Sequence, residues 1–265
     1  MENQEKLASS SDGTKLAYIE VGTGPALVIT HGSLAGKDQW EPAVQELSGD
    51  VTCYVYDRRG RGSSGDSPSY SMQTEMDDLA AILQIAGEGA TILGHSYGAL
   101  CVLEYALKSK GHHPIIAFEP PLAVDEPVAG EPWVEYRNAI EAGNNDDALR
   151  LGLRSFVRAS DAEVEAMANS SSWPSLLEIA PTWVRELREI DALGSGASRY
   201  APLVERSTAV LVGTATSPFL LKSAEALIDA VPSIHPVSMP GLNHFAHVFD
   251  PVGFAGHVRH AMGIE

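Results

Sequence analysis

Basic residues are scarce in this sequence. Its 265 residues include 18 lysines and arginines against 35 aspartates and glutamates, which gives a formal net charge of −17 at pH 7. Nucleic acids and anionic membranes are bound mainly through lysine and arginine, so this balance argues against both kinds of partner. The sequence therefore predicts a small-molecule ligand, neutral or apolar, with no nucleic-acid and no membrane partner.

Cysteine is also rare, and the chain has only two. Cys53 and Cys101 both lie in apolar segments and have no metal-ligand spacing. Buried, reduced thiols explain such cysteines better than a metal site does. The sequence therefore predicts neither a metal nor a cofactor.

Long apolar runs are absent as well. No stretch reaches the length of a membrane span, and the first residues, MENQEK, contain no basic segment followed by an apolar one. We therefore expect a cytoplasmic protein. The oligomeric state is left open, with a homo-oligomer as one option.

Short β-branched runs alternate with helical patterns along most of the chain. Strand patterns occur at ALVITHG, VTCYVYDRRG, ATILGHS, PIIAFEP, AVLVG and IHPVSMPG. Between them lie helical patterns, such as the one from Met72, whose early residues Glu75, Asp77 and Asp78 are assigned to the favourable end of the helix dipole. Strands buried between helices predict an α/β fold with a doubly wound, mostly parallel sheet.

One long interval interrupts this alternation. Residues 122–206 contain helical pieces, tryptophans and prolines but no convincing strand. An insertion between two strands predicts a helical cap at the carboxyl edge of the sheet, where open α/β sheets bind ligands. The predicted organisation is a core of residues 1–121 and 207–265 and a cap of residues 122–206. Leu34, Trp133 and Trp183 are assigned to the substrate pocket, with packing inside the cap as the alternative for the tryptophans.

The sharpest local signal is GHSYG, residues 94–98, between a strand and a helix. G-x-S-x-G at such a turn is typical of a nucleophile elbow, because the glycines permit the tight turn that presents the serine hydroxyl above the sheet. The pattern predicts that Ser96 is a catalytic nucleophile. The alternative is a serine that only caps a helix.

A second signal is THGS, residues 30–33, directly after a strand. A glycine turn there can place the backbone N–H of Ser33 beside that of Tyr97 to form an oxyanion hole. His31 is expected to support this loop rather than to act in catalysis.

A third signal is PGLNHFAH, in which His244 follows a strand and a Pro-Gly turn late in the chain. A general base at this position can return over the sheet edge to take the proton of Ser96. The competing histidines are His247, His257 and His260.

With these segments in this order, the chain resembles the α/β-hydrolase superfamily over nearly its whole length. The matching elements are HGS, DRRGRGSSG, GHSYG and PGLNHFA. The resemblance implies an eight-stranded sheet, a cap inserted after the sixth strand, and a Ser–acid–His triad in that chain order. It also implies that DRRGRGSSG is a structural loop in which Asp57 and Arg58 act as braces, rather than a phosphate site.

The aspartate that most members carry after the seventh strand is missing. That strand ends LVGTATSP, with Thr216 or Ser217 at the position of the acid. Glu119 ends the neighbouring sixth strand, and the chain resembles here some haloalkane dehalogenases and, distantly, the fungal lactonases that open zearalenone. Their catalytic acid is a Glu ending this strand, so the resemblance implies that Glu119 is the acid. A surface charge is the alternative, and a serine nucleophile excludes the dehalogenase chemistry.

The predicted function is that of a serine hydrolase that cleaves a carboxylic ester or lactone of a small, mostly apolar substrate through an acyl-Ser96 intermediate. The first alternative is a carbon–carbon bond hydrolase or a cofactor-free perhydrolase on the same fold. The second is a ligand-binding protein with vestigial catalysis. The cap carries no recognisable motif, so the sequence does not name the substrate.

Overall fold

The computed structural model describes residues 4–264 and divides the chain into two compact units. The first unit comprises the residues up to Pro121 together with those from Ala197 onward, and the second is the insertion Leu122–Gly196. No helix within residues 4–264 has both the length and the apolar character that crossing a bilayer requires.

The first unit is built on an eight-stranded sheet. Its strands are β1 (Lys6–Ser9), β2 (Lys15–Gly22), β3 (Ala26–Thr30), β4 (Thr52–Tyr56), β5 (Thr91–His95), β6 (Ile115–Phe118), β7 (Thr208–Gly213) and β8 (His235–Met239). They lie in the order β1-β2-β4-β3-β5-β6-β7-β8. The pairs β1–β2 and β2–β4 are antiparallel, and all neighbours from β4 to β8 are parallel. The predicted fold class is confirmed.

Helices flank this sheet and form the insertion. In chain order they are α1 (Glu41–Leu47), α2 (Met72–Ala86), α3 (Tyr97–Lys108), α4 (Pro132–Glu141), α5 (Asn145–Ser155), α6 (Asp161–Ala168), α7 (Trp173–Ala192), α8 (Pro218–Ala230), α9 (Ala246–Phe249) and α10 (Pro251–Met262). Two 3-10 helices cover Lys37–Trp40 and Ser198–Glu205. The start of α2 is defined by a capping box between Ser71 and Thr74.

The main core packs one face of the sheet against helices from both ends of the unit. Leu27 and Val55 of the sheet belong to one fully buried cluster with Leu47 of α1 and Phe254 of α10. Cys53 lies in the same cluster, and burial raises the pKa of its thiol to about 12. Both cysteines are buried, as predicted, and neither forms a disulfide within residues 4–264.

Parallel strands place their carboxyl ends along one edge of the sheet. In the register, Thr30 of β3 pairs with Gly94, and His95 of β5 pairs with Phe118. At the far side Gly213 of β7 pairs with Met239 of β8. The loops after β3, β5, β6 and β8, which carry the predicted site residues, therefore begin at the same edge.

The insertion has an aromatic core of its own. Trp183 packs edge to face on Tyr136 and Phe156, with ring centroids 5.6 and 5.3 Å away. A Cβ on Gly152 would lie 2.7 Å from the Trp183 ring, so α5 approaches α7 closely where glycine stands. Within residues 122–196, all of which are described, the regular elements are helices.

The insertion ends earlier than the sequence predicts. Its compact unit closes at Gly196, whereas the predicted cap extends to residue 206. The segment that follows belongs to the first unit because Arg199 forms an ion pair with Glu104 of α3 at 2.9 Å. Glu104 is buried, and an unpaired carboxylate there would be costly, which explains why the 3-10 helix stays with the sheet unit.

Candidate active site

β5 ends at a serine with an unusual backbone conformation. Ser96 stands between β5 and α3 with φ 54° and ψ −123°. A residue with a side chain rarely adopts a positive φ, and the strain amounts to about 1–3 kcal/mol. The N–H of Ser96 donates to the carbonyl oxygen of Phe118 on β6 at 2.9 Å, which helps to hold the turn. Ser96 thus has the strand–turn–helix context of a nucleophile elbow.

The glycines on either side of Ser96 allow the turn to close. A Cβ on Gly94 would lie 2.5 Å from the carbonyl oxygen of Gly98. A Cβ on Gly98 would lie 2.3 Å from the carbonyl oxygen of Thr30, at the end of β3. Both positions therefore require glycine, and the second contact shows that the elbow packs main chain to main chain against the loop after β3.

Glu119 provides a carboxylate at the end of β6. Its side chain is fully buried, so the alternative of a surface charge is wrong. One oxygen accepts from Nδ1 of His244 at 2.6 Å and from the hydroxyl of Thr216 at 2.8 Å. The other oxygen accepts from the N–H of Gly213 at 2.8 Å. The structure therefore brings the predicted acid and the predicted base into direct contact.

This contact fixes the protonation pattern of His244. An ionised carboxylate can only accept, so Nδ1 carries a proton, and in the neutral ring Nε2 therefore keeps its lone pair. The same carboxylate would stabilise the imidazolium that forms when Nε2 takes up a proton. The His244 side chain is 15% exposed while that of Glu119 is inaccessible, so the charge that supports the base is shielded from water.

Thr216 and Ser217 occupy the place where the sequence lacks an aspartate. Thr216 donates to Glu119, and Ser217 is the N-cap of α8, where its hydroxyl accepts from the N–H of Leu220 at 3.4 Å. Neither residue brings a charge to the histidine. The segment after β7 therefore supports the carboxylate of β6 instead of supplying one.

The loop after β3 lies against the elbow. A Cβ on Gly32 would lie 3.0 Å from Cβ of Ser96, so the main chain just before Ser33 approaches the nucleophile. Tyr97 begins α3, and the first N–H groups of a helix have no acceptor within the helix. This placement is compatible with an oxyanion hole formed by the N–H groups of Ser33 and Tyr97, which stays a prediction.

Strained backbone is concentrated around this site. Among the described residues, those other than glycine with a positive φ are Leu34 (52°), Ser96 (54°), Glu119 (47°) and Arg158 (63°). The first three belong to the loop after β3, the elbow and the end of β6. Strain of this kind persists only where the surrounding structure enforces it, and it is often found at functional sites.

His31 supports the loop after β3, as expected. Its Nε2 accepts from the N–H of Arg58 at 3.0 Å, so its Nδ1 carries the proton and donates to the carbonyl oxygen of Gly32 at 2.8 Å. Burial, followed by the positive charge of Arg58, lowers the pKa of His31 well below its ordinary value. The ring is therefore a neutral, structural support.

Arg58 connects the same loop to α2. Its guanidinium donates to the carbonyl oxygen of Gly32 at 3.1 Å and forms a two-pronged ion pair with Glu75 at 2.9 and 3.1 Å. The Arg58 and Glu75 side chains are both fully buried. The hydroxyl of Tyr70 donates to Glu75 at 2.8 Å and lies 3.0 Å from the hydroxyl of Tyr97. The network therefore joins the loop after β3 to the first residue of α3.

The acidic residues of α2 were not predicted to take this role. The sequence predicts that Glu75 and Asp78 interact with the dipole at the start of α2. In the structure they are instead buried ion-pair partners of Arg58 and Arg59. Burial acts to raise the pKa of Glu75, and Arg58 outweighs it, so the pKa lies below the ordinary 4.5. The ionised pair therefore supports the fold above that pH, and this support is lost as the pH falls through the lower folded value.

Replacing Arg58 with methionine is expected to lower the free energy of unfolding by about 3–5 kcal/mol, because the Glu75 carboxylate stays buried without its counter-charge. The midpoint and slope of urea unfolding measure this change. Arg259→Met is the matched control, since Arg259 pairs with the partly exposed Asp50 at 2.6 Å and should contribute about 1 kcal/mol or less. Equal midpoints for the two variants would contradict the importance assigned to the buried pair.

The competing histidines do not contact the acid. His247 is buried and stacks on Trp40 with ring centroids 4.4 Å apart, and burial lowers its pKa to about 3. His257 and His260 belong to α10. The histidine that meets Glu119 is His244.

Two of the three predicted pocket residues have partners within the insertion. Leu34 and Trp133 are half-buried, and the indole N–H of Trp133 donates to the carbonyl oxygen of Val184 at 2.8 Å. Trp183 belongs to the aromatic core of the insertion. Contact of these three residues with a substrate stays a prediction.

Together, the sheet order, the elbow and the buried acid–base pair at the carboxyl edge define an α/β hydrolase with a serine at the nucleophile position. No group of three or more histidine, cysteine, aspartate or glutamate side chains in residues 4–264 is placed to hold a metal ion. The chain belongs to the alpha/beta hydrolase family, whose family model matches residues 27–257. The matched segment runs from β3 into α10 and includes Ser96, Glu119 and His244, and the predicted superfamily is confirmed.

Individual relatives agree with this membership. An alpha/beta hydrolase from Sphaerobacter thermophilus has a similar structure, with a TM-score of 0.89 and 28% identity over 97% of this chain and 100% of that chain. A cis-3-alkyl-4-alkyloxetan-2-one decarboxylase from Shewanella oneidensis is 31% identical over 106 residues, which are 37% of this chain and 33% of the relative. A 2-(acetamidomethylene)succinate hydrolase from Mesorhizobium japonicum is 36% identical over 83 residues, 30% of either chain. This chain thus matches about a third of the length of these two curated relatives.

Proposed function

We propose that the protein hydrolyses a carboxylic ester or lactone of a small, uncharged, mostly apolar substrate through an acyl intermediate on Ser96. The observation that carries this proposal is the 2.6 Å contact between the buried Glu119 carboxylate and Nδ1 of His244. A histidine held in this way keeps a lone pair on Nε2, at the sheet edge where the elbow presents Ser96.

In the proposed reaction, Nε2 of His244 takes the hydroxyl proton of Ser96 while Oγ attacks the substrate carbonyl carbon. The carbonyl oxygen becomes negative, and the N–H groups of Ser33 and Tyr97 are the proposed donors to it. The imidazolium then returns the proton to the leaving alkoxide oxygen, which leaves the acyl group on Ser96. A water then attacks this acyl group while His244 takes its proton, and the imidazolium returns that proton to Oγ of Ser96 as the carboxylic acid is released.

The preference for an uncharged substrate follows from the charges near the site. Arg58 donates to the loop after β3, but it is fully buried and engaged by Glu75 and by main-chain carbonyl oxygens. It is therefore not free to bind an anionic substrate. Glu119 and the net charge of −17 both repel anions.

A panel of substrates tests this proposal. We expect kcat/KM for short neutral acyl esters and aromatic lactones to exceed that of carboxylate- or phosphate-bearing esters of equal size by roughly tenfold or more, because like charges oppose binding. Rapid quenching followed by mass spectrometry should show the acyl mass on the peptide that contains Ser96. Faster turnover of the charged esters would contradict the charge argument. Turnover of vinylogous diketones without ester cleavage would favour carbon–carbon bond hydrolysis instead.

A further inference from the structure

His95 is a buried residue that precedes the proposed nucleophile in the chain and packs against the proposed base. It is the last residue of β5, directly before Ser96, and is 3% exposed. Its ring packs against the rings of His244, His247 and Phe118, with centroids 4.4, 4.7 and 4.8 Å away. Ring neighbours on several elements leave the His95 side chain little freedom to change its orientation.

The two ring nitrogens of His95 face the main chain of two other site segments. Nε2 lies 3.0 Å from the carbonyl oxygen of His244, and because a carbonyl can only accept, Nε2 carries the proton and donates. Nδ1 is buried without a hydrogen-bond partner among the described residues, and a Cβ on Gly32 would lie 3.1 Å from it. One side chain thus contacts the base loop and the loop after β3, and its own main chain leads into Ser96.

The base lies in a loop of turns, where a contact to the main chain of His244 itself adds to the hydrogen bonds that Leu242 and Asn243 accept. His244 lies in the segment between Met239, which ends β8, and Ala246, which begins α9. The imidazole must keep Nδ1 on Glu119 while Nε2 serves Ser96, and misplacement by about 1 Å can reduce turnover by about 10²-fold. The Nε2–H of His95, which is fixed to β5, restrains the main chain of His244 directly.

We propose that His95 is a positioning residue, whose Nε2–H holds the main chain of His244 so that the base stays on Glu119 and in register with Ser96. The kinetic part of this inference rests on the proposed function. The hydrogen bond and the ring packing do not depend on the substrate.

The neutral state of His95 suits this role. Burial, followed by the neighbouring His244 and His247, lowers the pKa of His95 well below its ordinary value. The titratable groups that face its ring are His244, His247 and His31, and the Glu119 carboxylate is bound to His244. A cation on His95 would stand with its ring centroid 4.4 Å from that of His244 and oppose the imidazolium there. A neutral N–H donor restrains the base without this penalty.

Three substitutions distinguish the effect of losing the Nε2–H donor of His95 from the effect of losing the volume of its side chain. The amide of His95→Gln extends to about the position of Nε2 and can donate to the same carbonyl oxygen. The shorter amide of His95→Asn reaches only the position of Nδ1, and His95→Leu has no donor. His113→Leu is the matched control, because Nδ1 of His113 lies 2.9 Å from the carbonyl oxygen of Ala90 at the opposite ends of β5 and β6.

We expect His95→Leu and His95→Asn to lower kcat by roughly 10²-fold with KM changed less than about threefold, and His95→Gln to retain most of the activity. Turnover by His113→Leu should stay near the wild-type value.

A substrate-independent measurement distinguishes failure of this inference from failure of the proposed function. Proton NMR of the wild type should show the far-downfield signal of a histidine N–H bound to a carboxylate, assigned to His244 by its loss in His244→Gln. We expect the signal to persist in His95→Gln and to be lost or broadened in His95→Asn. Equal signals and equal kcat values in the Gln and Asn variants would overturn the inference. This comparison remains decisive if the Leu variant does not fold.

Discussion

Ser96→Ala is expected to lower kcat for ester and lactone substrates by roughly 10⁴-fold or more, since removal of a triad nucleophile lowers kcat by this amount in other hydrolases. The fold should be unaffected. The Ser96 side chain makes no capping hydrogen bond to α3, so removal of its hydroxyl breaks no contact that the helix start needs. Steady-state kinetics and the urea unfolding midpoint, measured on the same preparation, check the two parts of this prediction.

Ser217→Ala provides the matched control for Ser96→Ala. Ser217 caps α8 through its hydroxyl, so its loss should reduce stability by about 1 kcal/mol while turnover continues. A fluorophosphonate should label the wild type at one residue, Ser96, and should leave Ser96→Ala unlabelled. Labelling at a different residue, or no labelling of an active preparation, would show that the nucleophile has been assigned incorrectly.

Glu119→Gln is expected to lower kcat by roughly 10³ to 10⁴-fold, by analogy with the replacement of a triad aspartate by asparagine. The amide has one accepting oxygen and one donating NH₂ group. The N–H of Gly213 can only donate, so the amide oxygen is held there and the NH₂ group is turned toward His244. A donor at Nδ1 favours the tautomer with the proton on Nε2, which cannot accept the proton of Ser96.

Substitutions at Thr216 distinguish the effect of the Glu119 charge from the effect of the one hydrogen bond that Thr216 donates to it. Thr216→Ala removes a hydroxyl donor from Glu119 but keeps the carboxylate, so kcat should fall by about tenfold at most. Thr216→Asp in the Glu119→Gln background should recover part of the lost activity, because position 216 contacts the Glu119 oxygen that meets His244 and the substitution returns a charge there. Near-normal kinetics of Glu119→Gln would place the acid elsewhere, with Asp125 and Glu126 as the next residues to replace, or indicate a dyad.

The part of the site that the sequence predicted depends on short, local patterns and on strand order. The elbow is readable because both glycines and Ser96 lie within five residues. Glu119 is readable because it ends a strand that pairs with the strand leading to Ser96, and parallel neighbours bring their ends together. In both cases the backbone alone places the residue, so no knowledge of side-chain packing is needed.

The part that the sequence did not predict depends on side-chain contacts between distant segments. Arg58 and Glu75 lie on different elements, and the sequence does not specify which arginine meets which carboxylate in the buried loop. The contact of His95 with the carbonyl oxygen of His244 joins residues on opposite sides of the insertion. The end of the insertion was misplaced for the same reason, since Arg199 reaches back to Glu104.

The position of Glu119 in the chain also matters for evolution and for protein engineering. Only Pro120 and Pro121 separate this carboxylate from Leu122, where the insertion begins, and the carbonyl oxygen of Pro120 accepts from Ser223 of α8. An acid after β7 would lie in the part of the chain that follows the end of the insertion, well separated from its second junction. A carboxylate after β6 lies beside the first junction, so recombination that alters the proline pair also acts on the contact of Glu119 with His244. A chimera that exchanges the insertion therefore needs its crossover points after Pro121 and before Ala197 if the pair of Glu119 and His244 is to keep its geometry.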